Sequence, residues 1–281
     1  MYIRCWGSRG SIPVCGKEYI KYGGDTTCME VRSAAGDIVV IDAGTGIRCL
    51  GHKLAQEGPQ KITMLFTHAH LDHLLGFPFF APLFMPRQAI TVLGDPHGMS
   101  SYRSIIDGLM TDPYFPVHLG GADIKARLAF RTIRPGRTFR VGGLKIRPIS
   151  LSHPNNGGLG FRFEENGKVF VFLTDNELSY RHTGGLPFKD YVAFCRGADL
   201  LIHDAEYTSS DYNPSWGHSL YTDAVELALE AEVNRLGLFH LNNKRTDQQV
   251  ETMASEARKI ILQKTRRLEC RAIGSGFKTT M

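Results

Sequence analysis

The segment 66–76, FTHAHLDHLLG, places three histidines and one aspartate within six positions. It directly follows KITMLF, a short apolar run typical of a buried strand. Side chains two apart in an extended segment leave on the same side, so His68 and His70 can face one point while Asp72 and His73 face a second. Imidazole and carboxylate groups suit zinc, manganese or iron. Because four such groups exceed what one tetrahedral ion needs from a single loop, the spacing favours two ions side by side.

The remaining ligands are expected at other strand ends that converge on this loop. Three segments have the required form, an apolar strand followed by a polar ligand: IRPISLSH ends at His153, VFVFLTD at Asp175 and RLGLFH at His240. Asp175 could bridge two ions because a carboxylate has two oxygens. The predicted ligands of a dinuclear centre are therefore His68, His70, Asp72, His73, His153, Asp175 and His240.

The order of predicted elements is typical of an α/β domain. Strands dominate the first part of the chain, and strand, helix, strand and helix alternate after about residue 199. Helices are predicted at IRCLGHKLAQEG, at SLYTDAVELALEAEVN, with Ser219 or Thr222 as the cap, and at TDQQVETMASEARKIILQK. The last of these has apolar residues at helical spacing, at Val250, Met253, Ala257, Ile260 and Ile261. Since no repeat, low-complexity segment or linker interrupts the chain, we expect a single domain over residues 1–281.

Composition and charge indicate where the protein is located and what it can bind. No apolar run approaches the ~18–20 residues that cross a bilayer, and Arg4 interrupts any signal-peptide pattern, so we expect a cytoplasmic protein without a membrane partner. The six cysteines are scattered and form no C-x-x-C pair, which indicates reduced thiols. The net charge of +5 is mild, but eight basic and no acidic residues occur from Lys125 to Arg147. This stretch is either the solvated face of two strands or a patch that attracts phosphate.

The ligand pattern resembles the metallo-β-lactamase fold superfamily. THAHLDH, together with His153, Asp175, His240 and IDAG at Asp42, carries this resemblance, which runs in order from about residue 2 to residue 245. It implies an α/β fold of the four-layer αββα sandwich type, in which Asp42 supports the metal-binding loop from behind the ligands. Members include lactamases, thioesterases, lactonases, oxidoreductases and nucleic-acid hydrolases, so the fold leaves the reaction open.

Two further stretches, LLIHDAEYT and WGHSLYTDA, resemble a paired motif of the phosphodiesterase branch, which includes the tRNA 3′-processing endonucleases and cyclic-nucleotide phosphodiesterases. The resemblance implies that His218 protonates the leaving oxygen and that Asp204 holds His218. Glu206 is an alternative partner, because this chain has His-Asp-Ala-Glu where the tRNA enzymes have His-Glu-Ala-Thr. A helix-start histidine that caps the backbone is the structural alternative for His218. In the implied reaction, hydroxide activated by two metal ions attacks phosphorus, and Asp72 belongs to the catalytic set as well as to the ligands.

The choice of substrate depends on the region between His73 and His153. The tRNA-processing members carry a long Gly-Pro and Lys-rich arm, whereas HGMSSYRSIIDGLMTDPYFPV reads as a helix followed by an aromatic loop. The N-terminal segment also resembles small bacterial members, some of which hydrolyse cyclic nucleotides. We therefore expect a dinuclear phosphodiesterase acting on a small phosphodiester, first of all a 3′,5′-cyclic nucleotide. The two ions are expected to be zinc, with manganese or iron as alternatives, and a homodimer is a candidate assembly.

Three alternatives remain beside this expectation. The first is a tRNA 3′-processing endoribonuclease, which would make RNA the partner. The second is a lactone or ester hydrolase of the same fold, against which the pair of His218 and Asp204 argues. The third is a non-catalytic metal-bound interaction module, which the presence of all the ligands together with His218 disfavours.

Overall fold

The computed structural model describes residues 1–96, 98, 101–155, 157–264 and 267–281. Within these residues the strands form two sheets, each of seven strands. The first sheet contains β1 (Tyr2–Gly7), β2 (Cys28–Arg32), β3 (Ile38–Ile41), β4 (Lys61–Leu65), β5 (Ala89–Gly94), β6 (Arg127–Thr132) and β14 (Lys278–Thr280). The second sheet contains β7 (Phe139–Val141), β8 (Leu144–Leu151), β9 (Gly158–Glu165), β10 (Lys168–Leu173), β11 (Leu200–Asp204), β12 (Arg235–Phe239) and β13 (Glu269–Ala272).

The helices cover the outer faces of the two sheets. In the described part of the chain they are α1 (Ile47–Glu57), α2 (Leu71–Leu74), α3 (Tyr102–Leu109), α4 (Phe188–Cys195), α5 (Tyr221–Glu230) and α6 (Asp247–Lys264). Three short 3₁₀ helices lie at Lys17–Tyr19, Phe77–Phe79 and Ala81–Phe84. None of the helices in these described ranges combines the length and the apolar character needed to cross a membrane.

Three clusters of buried apolar side chains define four layers. The central cluster joins the inner faces of both sheets, with Met29 and Ile41 from the first sheet and Phe161 and Phe172 from the second. A second cluster packs α1 and α3 on the outer face of the first sheet, and a third packs α4, α5 and α6 on the outer face of the second. Because strand side chains alternate between faces, each buried sheet can contribute to two clusters at once. The predicted αββα sandwich is confirmed.

The strand directions bring the ends of several strands to one edge of the sandwich. Strands β3 to β6 run parallel to one another, and so do β10 to β13. Strand β8 has the same direction as β10, because both are antiparallel to β9 between them. Ligand sites in open α/β sheets lie outside the carboxyl ends of the strands. The segments that follow β3, β4, β8, β10 and β12 carry the residues singled out in the sequence.

The structure corrects the predicted cap of the helix after β11. This helix, α5, begins at Tyr221 with Leu220 at the capping position and without a side-chain cap, so the assignment of Ser219 or Thr222 as the cap is wrong. The hydroxyl of Ser219 instead donates to the carbonyl of Asn176 at 2.6 Å and accepts from the N–H of Leu178 at 3.1 Å. A tertiary contact therefore replaces the local cap.

The predicted helix after β5 is present as α3. Its first turn is capped by Ser101, whose hydroxyl accepts from the N–H of Ser104 at 3.1 Å. His97, Met99 and Ser100, at the start of the segment predicted to hold this helix, lie outside the described residues.

The basic stretch from Lys125 to Arg147 contributes the outermost strand on one side of each sheet, β6 and β7. Arg127, Arg131 and Arg140 are exposed on these edge strands. Other members of the stretch are engaged locally, since Arg134 pairs with Asp95 at 2.5 Å and Lys145 pairs with Glu164 at 2.9 Å. Charged side chains on an edge strand oppose pairing with another chain. This placement agrees with the solvated-face interpretation of the stretch.

Candidate metal centre

The backbone turns sharply at three residues that follow strands and carry an acidic or imidazole side chain. Asp42 follows β3, Asp175 lies two positions beyond β10 and His240 follows β12, and their φ angles are 61°, 55° and 54°. Positive φ is uncommon for residues other than glycine, and such strained positions cluster at functional sites. The turns direct side chains from both sheets into one space at the edge of the sandwich.

A first group of ligand atoms comes from His68, His70, His153 and Asp175. One atom from each of them lies within 4.8 Å of all the others. Oδ2 of Asp175 is 3.6 Å from Nε2 of His68 and 3.9 Å from Nε2 of His153. The imidazoles of His70 and His153 approach to 3.2 Å between Nδ1 and Nε2. Three imidazoles and a carboxylate oxygen can thus hold one ion.

A second group comes from Asp72, His73 and His240, again within 4.8 Å of one another. Oδ2 of Asp72 is 3.4 Å from Nε2 of His73 and 3.2 Å from Nε2 of His240. The other oxygen of Asp175, Oδ1, is 3.4 Å from both of these nitrogens. Each oxygen of Asp175 therefore faces a different group, and the structure brings all the predicted ligands together.

The residues present fit divalent ions. Nε2 of His68 and Nε2 of His73 are buried without a hydrogen-bond partner in the described part of the chain. Burial lowers the pKa of His68 well below its usual value and lowers that of His153 to about 3, which favours the neutral imidazole that binds a metal. Burial opposes ionisation of Asp175, but His240 and His73 outweigh it and hold the pKa of this carboxyl well below its usual range.

In three candidate ligands, the imidazole nitrogen that points away from the cluster lies close to a hydrogen-bond acceptor. Nδ1 of His73 lies 2.8 Å from Oδ2 of Asp42, Nδ1 of His240 lies 2.8 Å from Oε2 of Glu206, and Nδ1 of His153 lies 2.9 Å from the carbonyl of Gly217. These contacts fix the tautomer in which Nδ1 carries the proton and Nε2 faces the cluster. Asp42 thus lies behind the ligands, in the position that the resemblance implied.

His218 lies beside the cluster and contacts Asp204. Its Nδ1 is 3.1 Å from Oδ2 of Asp204 and 3.8 Å from Oδ2 of Asp175. Burial lowers the pKa of His218, but the carboxylate of Asp204 outweighs this effect, so the net shift is upward. Glu206 contacts His240 and not His218, so of the two acids considered as the partner of His218, the geometry favours Asp204.

His218 also belongs to a third close group. One nitrogen of His218, one of His240 and a carboxylate oxygen of Asp175 lie within 4.8 Å of one another. The imidazole is thus near enough to the cluster to act on a group bound there. The same nitrogen, Nδ1, makes both the contact with Asp204 and the longer approach to Asp175, whereas His73 and His240 face a partner carboxylate with Nδ1 and Asp175 with Nε2.

The N-terminal loop contributes residues that the sequence did not indicate. A Cβ on Gly10 would lie 2.3 Å from the ring of His240 and 2.6 Å from Oε2 of Glu206, so only glycine fits there. The next residue, Ser11, donates its backbone N–H to Oδ2 of Asp72 at 2.8 Å. The buried guanidinium of Arg9 holds this loop through bonds to distant carbonyls, which no local sequence signal could disclose.

Comparisons with known proteins agree with this geometry. Residues 38–241 match the model of the Beta-lactamase superfamily domain. Ribonuclease Z of Sulfolobus acidocaldarius is 25% identical over 249 residues, which cover 79% of this chain and 84% of that protein.

Two solved structures share the fold. Yeast PDE1 aligns with a TM-score of 0.73 and 15% identity, covering 100% of this chain and 99% of that one. The short form of human tRNase Z aligns with a TM-score of 0.65 and 18% identity, again covering 100% and 99%. The resemblance drawn from the sequence is thereby confirmed. Because the matched residues 38–241 make up more than half of the 281-residue chain, this protein belongs to the beta-lactamase superfamily.

Proposed function

We propose that this protein hydrolyses a small phosphodiester, with a 3′,5′-cyclic nucleotide as the first candidate. The relative named Ribonuclease Z and the structural neighbours PDE1 and tRNase Z agree with the broader class, a metal-dependent phosphodiester hydrolase. The observation that carries the proposal is the pair of His218 and Asp204, an acid and its partner, set directly beside the metal-ligand cluster.

Two divalent ions would be held by the clustered side chains. His68, His70 and His153 would bind one ion, Asp72, His73 and His240 would bind the other, and Asp175 would bridge them. When bound, such ions supply Lewis acidity that activates a water molecule and neutralises charge on the phosphoryl group. Zinc is the first choice for this set of nitrogen and oxygen ligands, and manganese or iron are alternatives.

His218 would deliver a proton to the oxygen that leaves phosphorus. Asp204 engages Nδ1 of this imidazole, which leaves Nε2 as the nitrogen available to the leaving oxygen. The carboxylate of Asp204 is itself held by the backbone N–H groups of Ser219 at 3.2 Å and Glu206 at 3.0 Å. A proton donor fixed in this way contributes typically ~10²–10⁴-fold to a reaction rate.

A small substrate is favoured by the space next to His218. A cavity of about 330 Å³ adjoins this side chain, near the lower end of the roughly 300–1,000 Å³ typical of small-molecule sites. Processing of tRNA 3′ ends is the second candidate, because relatives named Ribonuclease Z match more than two thirds of this chain. The single-domain organisation, the cytoplasmic location and the homodimer stay predictions.

The proposal is tested by substrate and by metal content. Protein purified without chelator should contain close to two ions per chain by elemental analysis, and it should convert 3′,5′-cyclic nucleotides into monophosphates. A precursor tRNA and a model lactone serve as the competing substrates. A single tight ion would contradict the dinuclear centre, and turnover of precursor tRNA or lactone without turnover of cyclic nucleotides would contradict the substrate.

A further inference from the structure

Trp216 is a large aromatic side chain displayed on an anchored backbone. Trp216 is 63% exposed, whereas Glu177, which binds the backbone next to it, is 1% exposed. The N–H groups on both sides of the tryptophan donate to this one carboxylate, from Ser215 at 2.8 Å and from Gly217 at 2.7 Å. The backbone at Trp216 is therefore fixed although its indole faces solvent.

Further contacts of Glu177 join this loop to the metal centre. The carboxylate also accepts from the hydroxyl of Tyr212 at 2.7 Å and lies 2.8 Å from Nε2 of His182. The carbonyl of Gly217, in turn, is the acceptor that holds His153 at 2.9 Å. A binding group whose backbone is already ordered loses less conformational entropy when it meets a ligand. Such rigidity in an exposed aromatic residue is expected of a binding surface.

The cavity beside His218 is bordered by Trp216, by polar groups that are already bonded, among them Glu206 and Asp211, and by three polar groups that the fold does not use. Within the part of the chain that the structure describes, the amides of Asn213 and Asn243 make no hydrogen bond and Lys244 forms no ion pair. All of them border the same cavity of about 330 Å³. The cavity thus offers an aromatic face, two free amides and one free ammonium, which together suit a flat ring with a hydrogen-bonding edge and a nearby negative charge.

We propose that this cavity is the nucleoside subsite of the enzyme, in which the indole of Trp216 stacks on the base and Asn213 and Asn243 contact its edge. The inference rests on the proposed function, because it takes the phosphate to lie at the metal cluster. In a 3′,5′-cyclic nucleotide the bond between phosphorus and O3′ breaks, water supplies the new oxygen on phosphorus, and O3′ gains a proton from His218. Since O3′ belongs to the ribose, the nucleoside must lie on the His218 side of the phosphate, which is where the cavity opens.

Tryptophan fluorescence gives a direct measurement of stacking. The chain has two tryptophans. Trp6 is 8% exposed, with its indole N–H bonded to Glu30 at 2.9 Å, so it is shielded from ligands. Titration of the metal-loaded protein with adenosine 5′-monophosphate, a product that is not consumed, should quench the emission of Trp216 in a saturable way. Ribose 5-phosphate, which has the phosphate but no base, should not quench it.

Calorimetric titration of variants distinguishes binding of the base from binding of the phosphate. Trp216→Ala should weaken binding of adenosine monophosphate by about 10–100-fold, the range expected for loss of a base–aromatic stack, while leaving binding of inorganic phosphate unchanged. Trp216→Phe should retain most of the affinity because it keeps an aromatic face. Leu262→Ala, which alters another exposed apolar side chain with 65% exposure, is the control and should bind like the parent.

Each of the following results would contradict the proposed nucleoside subsite. Equal affinity for adenosine monophosphate and inorganic phosphate would show that no base is recognised. Fluorescence that changes with protein concentration in the absence of nucleotide would assign Trp216 to a contact with a second copy of the chain. Affinity for an RNA oligonucleotide but not for mononucleotides would assign Trp216 to RNA binding. Because these measurements detect binding, saturable quenching would support the subsite even if cyclic nucleotides were not hydrolysed.

Discussion

His218 is the side chain on which the proposed acid catalysis depends. Replacing it with alanine should leave the metal content unchanged, because the ligand groups around both oxygens of Asp175 stay intact. Turnover of a substrate with an alkoxide leaving group should fall by ~10²–10⁴-fold. The loss should be smaller for a nitrophenyl phosphodiester, whose leaving group needs little protonation. Loss of an ion from His218→Ala would instead identify this residue as a ligand, in keeping with its closeness to Asp175 and His240.

Asp204 is expected to set the pH range in which His218 acts. Burial lowers the pKa of His218 and the carboxylate of Asp204 raises it, with a net upward shift. A general acid must be protonated, so activity on a poor leaving group should decline as the pH rises through this pKa. Asp204→Asn removes the negative charge and should move that decline to lower pH in a profile of kcat/KM. Asp223→Asn, on α5, is the control, and an alkaline limb that does not move would belong to another group.

Substitutions in helix α6 test the packing on the outer face of the second sheet. The helical spacing predicted from the sequence is confirmed for Val250, Met253, Ala257 and Ile261, which are buried. Ile261 is 2% exposed and its neighbour Leu262 is 65% exposed. Ile261→Ala should lower the free energy of unfolding by ~2–5 kcal/mol through lost contacts and a cavity, whereas Leu262→Ala should change it by less than ~0.5 kcal/mol. Urea denaturation measures both, and equal losses would contradict this packing.

Elements with a strong local pattern could be predicted, and those defined by distant contacts could not. Strands followed directly by a ligand were identifiable because an apolar run and its terminal polar residue are adjacent in sequence, as at His240. Strands β7 and β14 have three residues each and lie at sheet edges, so they carry too little pattern. The positive φ of Asp175 and the close approach of Gly10 to His240 arise only after the two sheets meet.

The metal ions are expected to stabilise the molecule as a whole, because their ligands come from both sheets. The segment after β4 contributes ligands from one sheet, and the segments after β8, β10 and β12 contribute ligands from the other. Ions that bind only the folded chain add to its stability by mass action. Chelation should therefore lower the melting temperature, and added zinc should restore it. A melting temperature that chelation leaves unchanged, in protein proven metal-free, would contradict a structural contribution of the ions.

The salt dependence of the reaction distinguishes the two candidate substrates at the level of the whole surface. An enzyme that binds tRNA neutralises several phosphates and releases their counterions. Because this release is less favourable at higher salt concentration, its affinity falls steeply as salt is added. A cyclic nucleotide has one phosphate, and the net charge of the chain is only +5, so KM should respond weakly to salt.

Substitution of the exposed edge residues Arg127, Arg131 and Arg140 by glutamine provides the matched variant, since they lie on β6 and β7. Hydrolysis of cyclic nucleotides should be unchanged in this variant, and precursor tRNA should be cut poorly by both forms. The opposite result would support the tRNA enzyme. In that case the protein would trim tRNA efficiently, its affinity for tRNA would fall steeply with salt, the three substitutions would weaken this dependence, and cyclic nucleotides would not be hydrolysed. In that case the basic edge would be an RNA-binding surface and not the solvated face of two strands.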